Sequence, residues 1–166
     1  MNTARHLLRF TDPAQLTHRW GLARWAPLSL RLITGYGFME HGYAKILKNP
    51  DTFAGILHTL SVPAPHVMAW ATILTELVGG LAILVGAFVP LVSLPMIAVL
   101  MVATLTVHLQ YGFSSIKLLA VTSSGAQFGP PGYETDLLYL ACLAALVLGG
   151  SGPFAVDGWL ARRGRK

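Results

Sequence analysis

The stretch VPLVSLPMIAVLMVATLTVHL, residues 89–109, decides the fold because it is a long apolar run without Asp, Glu, Lys or Arg. About 20 apolar residues in a helix cross the hydrocarbon core of a bilayer. A helix also satisfies its own backbone hydrogen bonds there. Pro95 lies in the first turns of the run, where a missing N–H costs least. The stretch therefore predicts a membrane-spanning helix.

Three more apolar stretches, at residues 26–44, 66–89 and 133–150, bring the number of predicted spans to four. Charged residues make up 11% of the chain, against about 25% in soluble domains, and the mean hydropathy is +0.57. This composition leaves too little polar surface to cover a soluble core. We predict an all-α membrane protein, a bundle of four transmembrane helices.

Basic residues cluster at the two ends of the chain. Arginines precede the first span and basic residues fill the tail at 162–166, whereas the connections after spans one and three hold only Lys45, Lys48 and Lys117. This asymmetry predicts that both termini are cytoplasmic. The net charge of +5 then reflects topology and attraction to anionic lipid. Nucleic-acid binding is not expected, because the basic residues are split between two ends and lack interleaved aromatics.

Three segments follow from these patterns. Residues 1–25 are expected to form an amphipathic helix at the cytoplasmic interface, anchored by Trp20 and Trp25, with partner docking as the alternative role. Residues 26–161 are the predicted membrane domain, and residues 162–166 a basic cytoplasmic tail. Between spans one and two, Asp51 is expected to cap a short helix. Between spans three and four, a long loop rich in Gly and Pro is expected to fold over the outer mouth of the bundle.

Cys142 is the only cysteine and lies in the fourth predicted span. A single cysteine excludes dithiol exchange by this chain alone, an internal disulfide and a thiolate metal cluster. We interpret Cys142 as a small packing residue.

One face of the first span combines charge with small residues. Arg31, Gly35, Phe38, Gly42 and Lys45 are spaced 4, 3, 4 and 3 apart, so they share a helical face. Glycines at such positions allow two helices to approach closely. This face should therefore point into the bundle.

Glu76 lies in the middle of the second predicted span, just before Gly79 and Gly80. A carboxylate at that depth must be paired, solvated or protonated. We expect a structural salt bridge between Glu76 and Arg31. The alternative is a Glu76 that carries a proton or orients a ligand.

His41, His108 and Glu134 lie at the ends of spans one and three and the start of span four. Because these ends share a membrane face, we expect a polar pocket under the long loop. In this hypothesis His108 is the catalytic hydrogen-bond partner, Glu134 orients it, His41 completes the site, and Lys45 or Lys117 favours an anionic substrate. Solvation of helix ends, a redox-ligand pocket and a metal site remain alternatives, although no tight ligand spacing such as H-x-x-x-H occurs.

These motifs together resemble the DoxX family of small four-helix membrane proteins, over about residues 26 to 161. The resemblance rests on ordered motifs in every span. They are Arg31 with Gly42 and Lys45, Glu76 with Gly79 and Gly80, His108 with Gly112 and Phe113, Glu134, and finally Gly152 with Asp157.

The resemblance implies a role in membrane redox systems. Some members of the family look like membrane subunits of thiosulfate:quinone oxidoreductases, and others are tied to sulfur or oxidative-stress complexes. We predict a bacterial inner-membrane subunit or accessory of a quinone-linked redox system, with a protein partner encoded nearby and quinone as the suggested ligand. Whether it forms a homo-oligomer stays open. The alternative is a non-enzymatic membrane chaperone or carrier for a lipid, a small molecule or a metal-handling partner.

Overall fold

The structure is a computed structural model that describes residues 21–163 and is mostly helical. The interfacial helix expected at residues 1–25 lies outside the described residues except for its last part, where Leu22–Trp25 forms a 3-10 turn. The end of the expected basic tail, residues 164–166, also lies outside them.

Within the described range, the helices follow one another with short connections until residue 111. They are α1 (Ala26–Leu47), α2 (Pro50–Thr59), α3 (Pro65–Val85), α4 (Val89–Tyr111), α5 (Glu134–Gly149) and α6 (Val156–Arg163).

Helices α3 and α4 each contain a π-helical turn, Thr75–Gly79 in α3 and Thr104–His108 in α4. Helix α4 then ends in a 3-10 turn, Leu109–Tyr111. A π turn accommodates one extra residue in a helix and is frequent at functional sites.

Two helices in residues 21–163, α3 and α4, are long and apolar enough to cross a membrane. Helix α1 has 22 residues but carries Arg31, Glu40 and Lys45, and α5 has only 16 residues. The bundle of four spans therefore stays a prediction.

The connection between α4 and α5 contains a β-hairpin, so the all-α expectation is incomplete. Strand β1 (Leu118–Thr122) pairs antiparallel with β2 (Gly125–Phe128), and every residue of both strands is exposed. Its sequence explains it, since Val121 and Thr122 favour extended backbone and Gly125 has a positive φ of 121° beside the turn.

The cap of α2 differs from the expected one. Asn49 is the N-cap, and its side chain accepts a hydrogen bond from Asp51 N at 3.0 Å. The helix begins at Pro50, which suits the first helical position. Asp51 therefore lies within the first turn, where its negative charge interacts favourably with the helix dipole.

Helices α1 and α3 pack through glycines. A Cβ atom on Gly35 would lie 2.7 Å from Gly80 O, and one on Gly42 would lie 2.9 Å from Leu77 Cγ. Because any side chain at Gly35 would meet backbone, these positions set how closely the two helices approach. Next to this contact, apolar side chains of all four long helices fill the core, including Phe38, Ile83, Met96, Leu100, Leu143 and Leu146.

Arg31 is 2% exposed and is satisfied by main-chain oxygens. Its Nε donates to Ile83 O at 3.2 Å and Nη2 donates to Leu84 O at 2.8 Å, both on α3. Its remaining contacts are with the segment after α5, where Nη1 donates to Ser151 O at 3.0 Å and Pro153 O at 2.9 Å, and Nη2 reaches Phe154 O at 3.5 Å. Arg31 thus joins α1, α3 and the segment that follows α5.

Asp157, in the first turn of α6, caps α4. Its carboxylate accepts hydrogen bonds from Phe88 N at 2.6 Å, Val89 N at 3.1 Å and Ser151 Oγ at 3.1 Å. Such a cap satisfies N–H groups that a helix leaves unpaired at its start. Arg31 and Asp157 therefore fix the same end of the bundle.

Candidate functional site

The opposite end of the bundle encloses a cavity of about 400 Å³ between α1, α3, α4 and α5. It lies where α1 ends and α5 begins, which is the location expected for the polar pocket. Its lining residues are Phe38, His41, Lys45, Glu76, Val99, Leu100, Ala103, His108, Pro131, Gly132, Thr135, Asp136 and Tyr139. Ionisable groups from four helices therefore meet inside walls that are largely apolar.

His108 is held by a buried carboxylate from α5. Its Nδ1 lies 2.5 Å from Asp136 Oδ2, which also accepts a hydrogen bond from Thr104 Oγ1 at 2.9 Å. Asp136 is only 6% exposed. An ionised carboxylate can only accept, so the imidazole donates from Nδ1 and keeps Nε2 for another partner. Within the described residues, Nε2 has no hydrogen-bond partner.

Lys45 and Glu76 form an ion pair in the cavity. Lys45 Nζ lies 2.7 Å from both carboxylate oxygens of Glu76, and it lies 5.2 Å from the centre of the Phe53 ring. Long side chains on a helix point toward its N-terminus, so Lys45 reaches back to the level of Gly42, beside which Glu76 lies. The π turn at Thr75–Gly79 contains Glu76.

His41 and Tyr139 line the cavity between the two pairs. Their rings make an edge-on contact with centres 6.2 Å apart, and Tyr139 also packs edge-on against Phe38 at 5.4 Å. A Cβ atom on Gly37 would overlap the Tyr139 hydroxyl. Gly37 therefore makes the room that Tyr139 occupies.

A smaller pocket, here called the vestibule, adjoins the cavity and shares His41 and Lys45 with it. It measures about 230 Å³ and is lined further by Ala44, Lys48, Asn49, Thr52, Phe53 and Ile56. Both shared residues are on α1, so the last turns of α1 separate the cavity from the vestibule.

Glu134 does not line the cavity or contact His108, contrary to expectation. Its Oε2 instead accepts a hydrogen bond from Ser115 N at 3.0 Å and fixes the start of the long connection. Residues two apart on a helix lie on different faces, so Glu134 and Asp136 cannot both point inward. Asp136 takes the expected role.

The sequence held a signal for Asp136. It lies 7 and 10 residues before Leu143 and Leu146, which are buried on α5, so it shares their helical face. Thr104 and Tyr139 were also missed. Thr104 lies four residues after Leu100, which is buried on α4, so α-helical spacing could have placed it on the same inward face.

The expected bridge between Arg31 and Glu76 is wrong. Glu76 packs beside Gly42, which lies 11 residues, or about 16 Å, along α1 from Arg31. Arg31 is instead saturated by carbonyl oxygens, and Glu76 pairs with Lys45. Lys117 also differs from expectation, since its Nζ lies over the Tyr111 ring at 5.6 Å and it does not line the cavity.

The charge balance of the cavity limits what it can hold. Lys45 is neutralised by Glu76, so no unpaired Lys or Arg among the described residues faces the cavity. In residues 21–163 there is also no group of three or more His, Cys, Asp or Glu side chains placed to hold a metal ion. The arrangement suits a neutral ligand that exchanges hydrogen bonds with imidazole and carboxylate groups.

A family comparison matches this part of the chain. The model of the DoxX family matches residues 26–109, from the start of α1 almost to the end of α4. The chain belongs to the DoxX family. DoxX is a family of membrane proteins, so this DoxX protein is a membrane protein, and the apolar helices α3 and α4 agree with that. The searches of curated proteins and of solved structures gave no significant match.

The matched segment of this DoxX protein contains only part of the cavity. His41, Lys45, Glu76 and His108 lie within residues 26–109, whereas Asp136 and Tyr139 lie beyond them. The carboxylate that orients His108 is thus outside the matched segment.

Proposed function

We propose that this DoxX protein is a quinone-binding membrane subunit, or accessory, of a redox system in the bacterial inner membrane. The observation that carries the proposal is the pair formed by His108 and Asp136 beside an apolar cavity. A quinone headgroup is neutral, apolar over its faces and polar at two oxygens. It needs hydrogen-bond donors and a source or acceptor of protons.

The pairing of charges favours a neutral headgroup over an anionic sulfur compound. An anion would need an unpaired cation, but Lys45 is bound to both oxygens of Glu76. In the proposed complex, His108 bonds one quinone oxygen and His41 or Tyr139 approaches the other. A sulfur-containing donor would then bind to a partner protein, and the electrons would come from that partner.

Convergent ionisable groups also favour this role over the alternative of a chaperone or carrier. A carrier needs a groove that fits its cargo, but it does not need a histidine oriented by a buried carboxylate. The location in the inner membrane, the partner encoded nearby and the four spanning helices all belong to the proposal.

The test is binding of a quinone analogue to purified protein in nanodiscs. We expect wild type to bind, and His108→Ala and Asp136→Asn to bind about fivefold more weakly, because each weakens the hydrogen bonding of the headgroup by about 1 kcal/mol. His58→Ala is the matched control, since His58 is exposed on α2 and lines neither the cavity nor the vestibule. No binding by wild type, or equal binding by wild type and His108→Ala, would remove the proposal and leave the carrier role ahead.

A further inference from the structure

An apolar groove continues from the cavity between α3 and α4. It measures about 220 Å³, and Val99 and Ala103 line both the groove and the cavity. Its other lining residues are Leu57, Leu60, Val62, Met68, Ala71, Thr72, Thr75, Ala98, Val102, Thr106 and Val107. The groove and the cavity therefore meet along α4, at Val99 and Ala103.

The chemistry of the groove differs from that of the cavity. No charged or imidazole side chain lines it, and its floor includes the small residues Ala71 and Ala98. The hydroxyl of Thr106 donates to Val102 O at 2.7 Å, so it does not call for a polar ligand. The groove is thus an apolar surface beside a cavity that contains ionisable side chains.

The position of the groove indicates what would fill it. It lies between α3 and α4, the two helices of the described chain that are long and apolar enough to cross a membrane. Residues Leu57, Leu60 and Val62 of α2 and the turn after it cover one end. A hydrocarbon chain in the groove would stay at the depth of the bilayer while its polar end reached the cavity.

We propose that the groove holds the hydrocarbon tail of the same molecule whose headgroup occupies the cavity. The ligand class is then a membrane quinone with a long apolar tail, not a water-soluble quinone. This inference rests on the proposed function, because it takes the headgroup site as given. The two alternatives for the groove, a bulk acyl chain and another protein helix, give different results in the test below.

The experiment uses a quinone analogue that carries a photoreactive diazirine on its tail, with the full chain in nanodiscs. After illumination, labelled peptides are identified by mass spectrometry. We expect the label on peptides that contain residues 57–75 and 98–107. A tail-less quinone with the same headgroup should displace it, and His108→Ala should reduce it by the same factor by which headgroup binding falls.

A groove-filling variant makes the test specific. Ala98 lines the groove but not the cavity. Ala98→Leu should therefore reduce labelling by the tail while binding of the tail-less quinone is unchanged. Ala145→Leu, on an exposed position of α5 outside the groove, is the matched control and should label like wild type.

Each other outcome overturns the inference in a distinct way. Label on other helices, with headgroup binding still dependent on His108, means that the tail runs elsewhere and the proposed function survives. Label that persists in His108→Ala and resists the tail-less quinone means that the groove takes bulk hydrocarbon. Absence of labelling together with protection of the groove in a purified complex means that a protein helix covers it. Failure of the tail-less quinone to bind wild type removes the proposed function itself.

Discussion

Two buried charged residues, Arg31 on α1 and Glu76 on α3, are stabilised in different ways. Arg31 is 2% exposed and donates only to main-chain oxygens, whereas Glu76 is 5% exposed and accepts from Lys45. A guanidinium offers five N–H groups in a rigid fork, which fits a cluster of carbonyl groups. A carboxylate needs donors, and an ammonium at 2.7 Å supplies them. Arg31 is therefore part of the scaffold, while Glu76 and Lys45 form part of the cavity.

We expect the Lys45 and Glu76 substitutions to be strongly non-additive. Lys45→Met leaves a buried carboxylate without its partner and should cost about 3 kcal/mol of unfolding free energy, whereas the double variant with Glu76→Leu should cost clearly less. Glu76→Leu alone should cost less than Lys45→Met, because the side chain of Lys45 is 22% exposed and can reach water. A double-mutant cycle of unfolding in detergent measures these differences.

The control for this cycle is the pair formed by Asp51 and His66, in which Oδ1 and Nδ1 are 3.3 Å apart and both side chains are more than 70% exposed. Removing either partner there should change stability by less than about 1 kcal/mol. Additive effects of Lys45→Met and Glu76→Leu would show that the pair does not stabilise the bundle.

At this scale, the sequence predicted which residues matter better than it predicted their partners. His41, His108, Lys45 and Glu76 were chosen from charge and position, and the structure places all four around one cavity. The partners failed because pairing depends on the relative depth of two helices. Glu76 lies at the level of Gly42, about 16 Å along α1 from the expected partner Arg31, and the sequence does not define this depth.

The π turns in α3 and α4 carry polar side chains of the site. One contains Glu76 and the other contains Thr104 and His108. The extra residue of a π turn changes the direction in which the following side chains point. The π turn in α4 contains both Thr104 and His108, which lie four residues apart on one face and contact the same carboxylate oxygen of Asp136. Helical periodicity in the sequence does not reveal such turns, so they could not be predicted.

Removing one residue from the turn in α4 should therefore disable the site. Leu105 is 60% exposed, so its deletion removes little packing, but it leaves His108 three residues after Thr104 instead of four and changes the direction in which the imidazole points. His108 should lose Asp136, and binding of the quinone analogue should fall to background while far-UV circular dichroism stays helical. Leu105→Ala is the control and should bind like wild type. Undiminished binding after the deletion would mean that the turn is not needed to position His108.

The two ends of the helical bundle hold different groups. Arg31 and Asp157 lie at one end, and the cavity, the vestibule and the hairpin lie at the other. The sequence predicted the helices and the membrane class because apolar runs of this length have few alternatives. It did not predict the hairpin, because β1 and β2 are short and their exposed side chains show no alternation of buried and exposed positions.

We expect the cavity end to face the periplasm and both termini to face the cytoplasm, on the asymmetry of Lys and Arg. Single cysteines are placed at Ser61, Ser124 or Arg163 in a background with Cys142→Ser. An impermeant maleimide added to intact spheroplasts should label the first two but should label the third only after permeabilisation. Labelling at residue 163 in intact spheroplasts would reverse the topology, and labelling at only one of residues 61 and 124 would contradict four spans.

The clamp around Arg31 has a consequence for biosynthesis. The guanidinium is translated early, yet three of its carbonyl partners, Ser151, Pro153 and Phe154, are translated more than a hundred residues later. Until then, the chain contains only two of these five carbonyl partners, Ile83 and Leu84. An Arg left partly unpaired in a membrane is costly. A nascent or prematurely terminated chain is therefore expected to stay bound to the insertion machinery. Arg31 can therefore reach all of its carbonyl partners only after translation has passed residue 154.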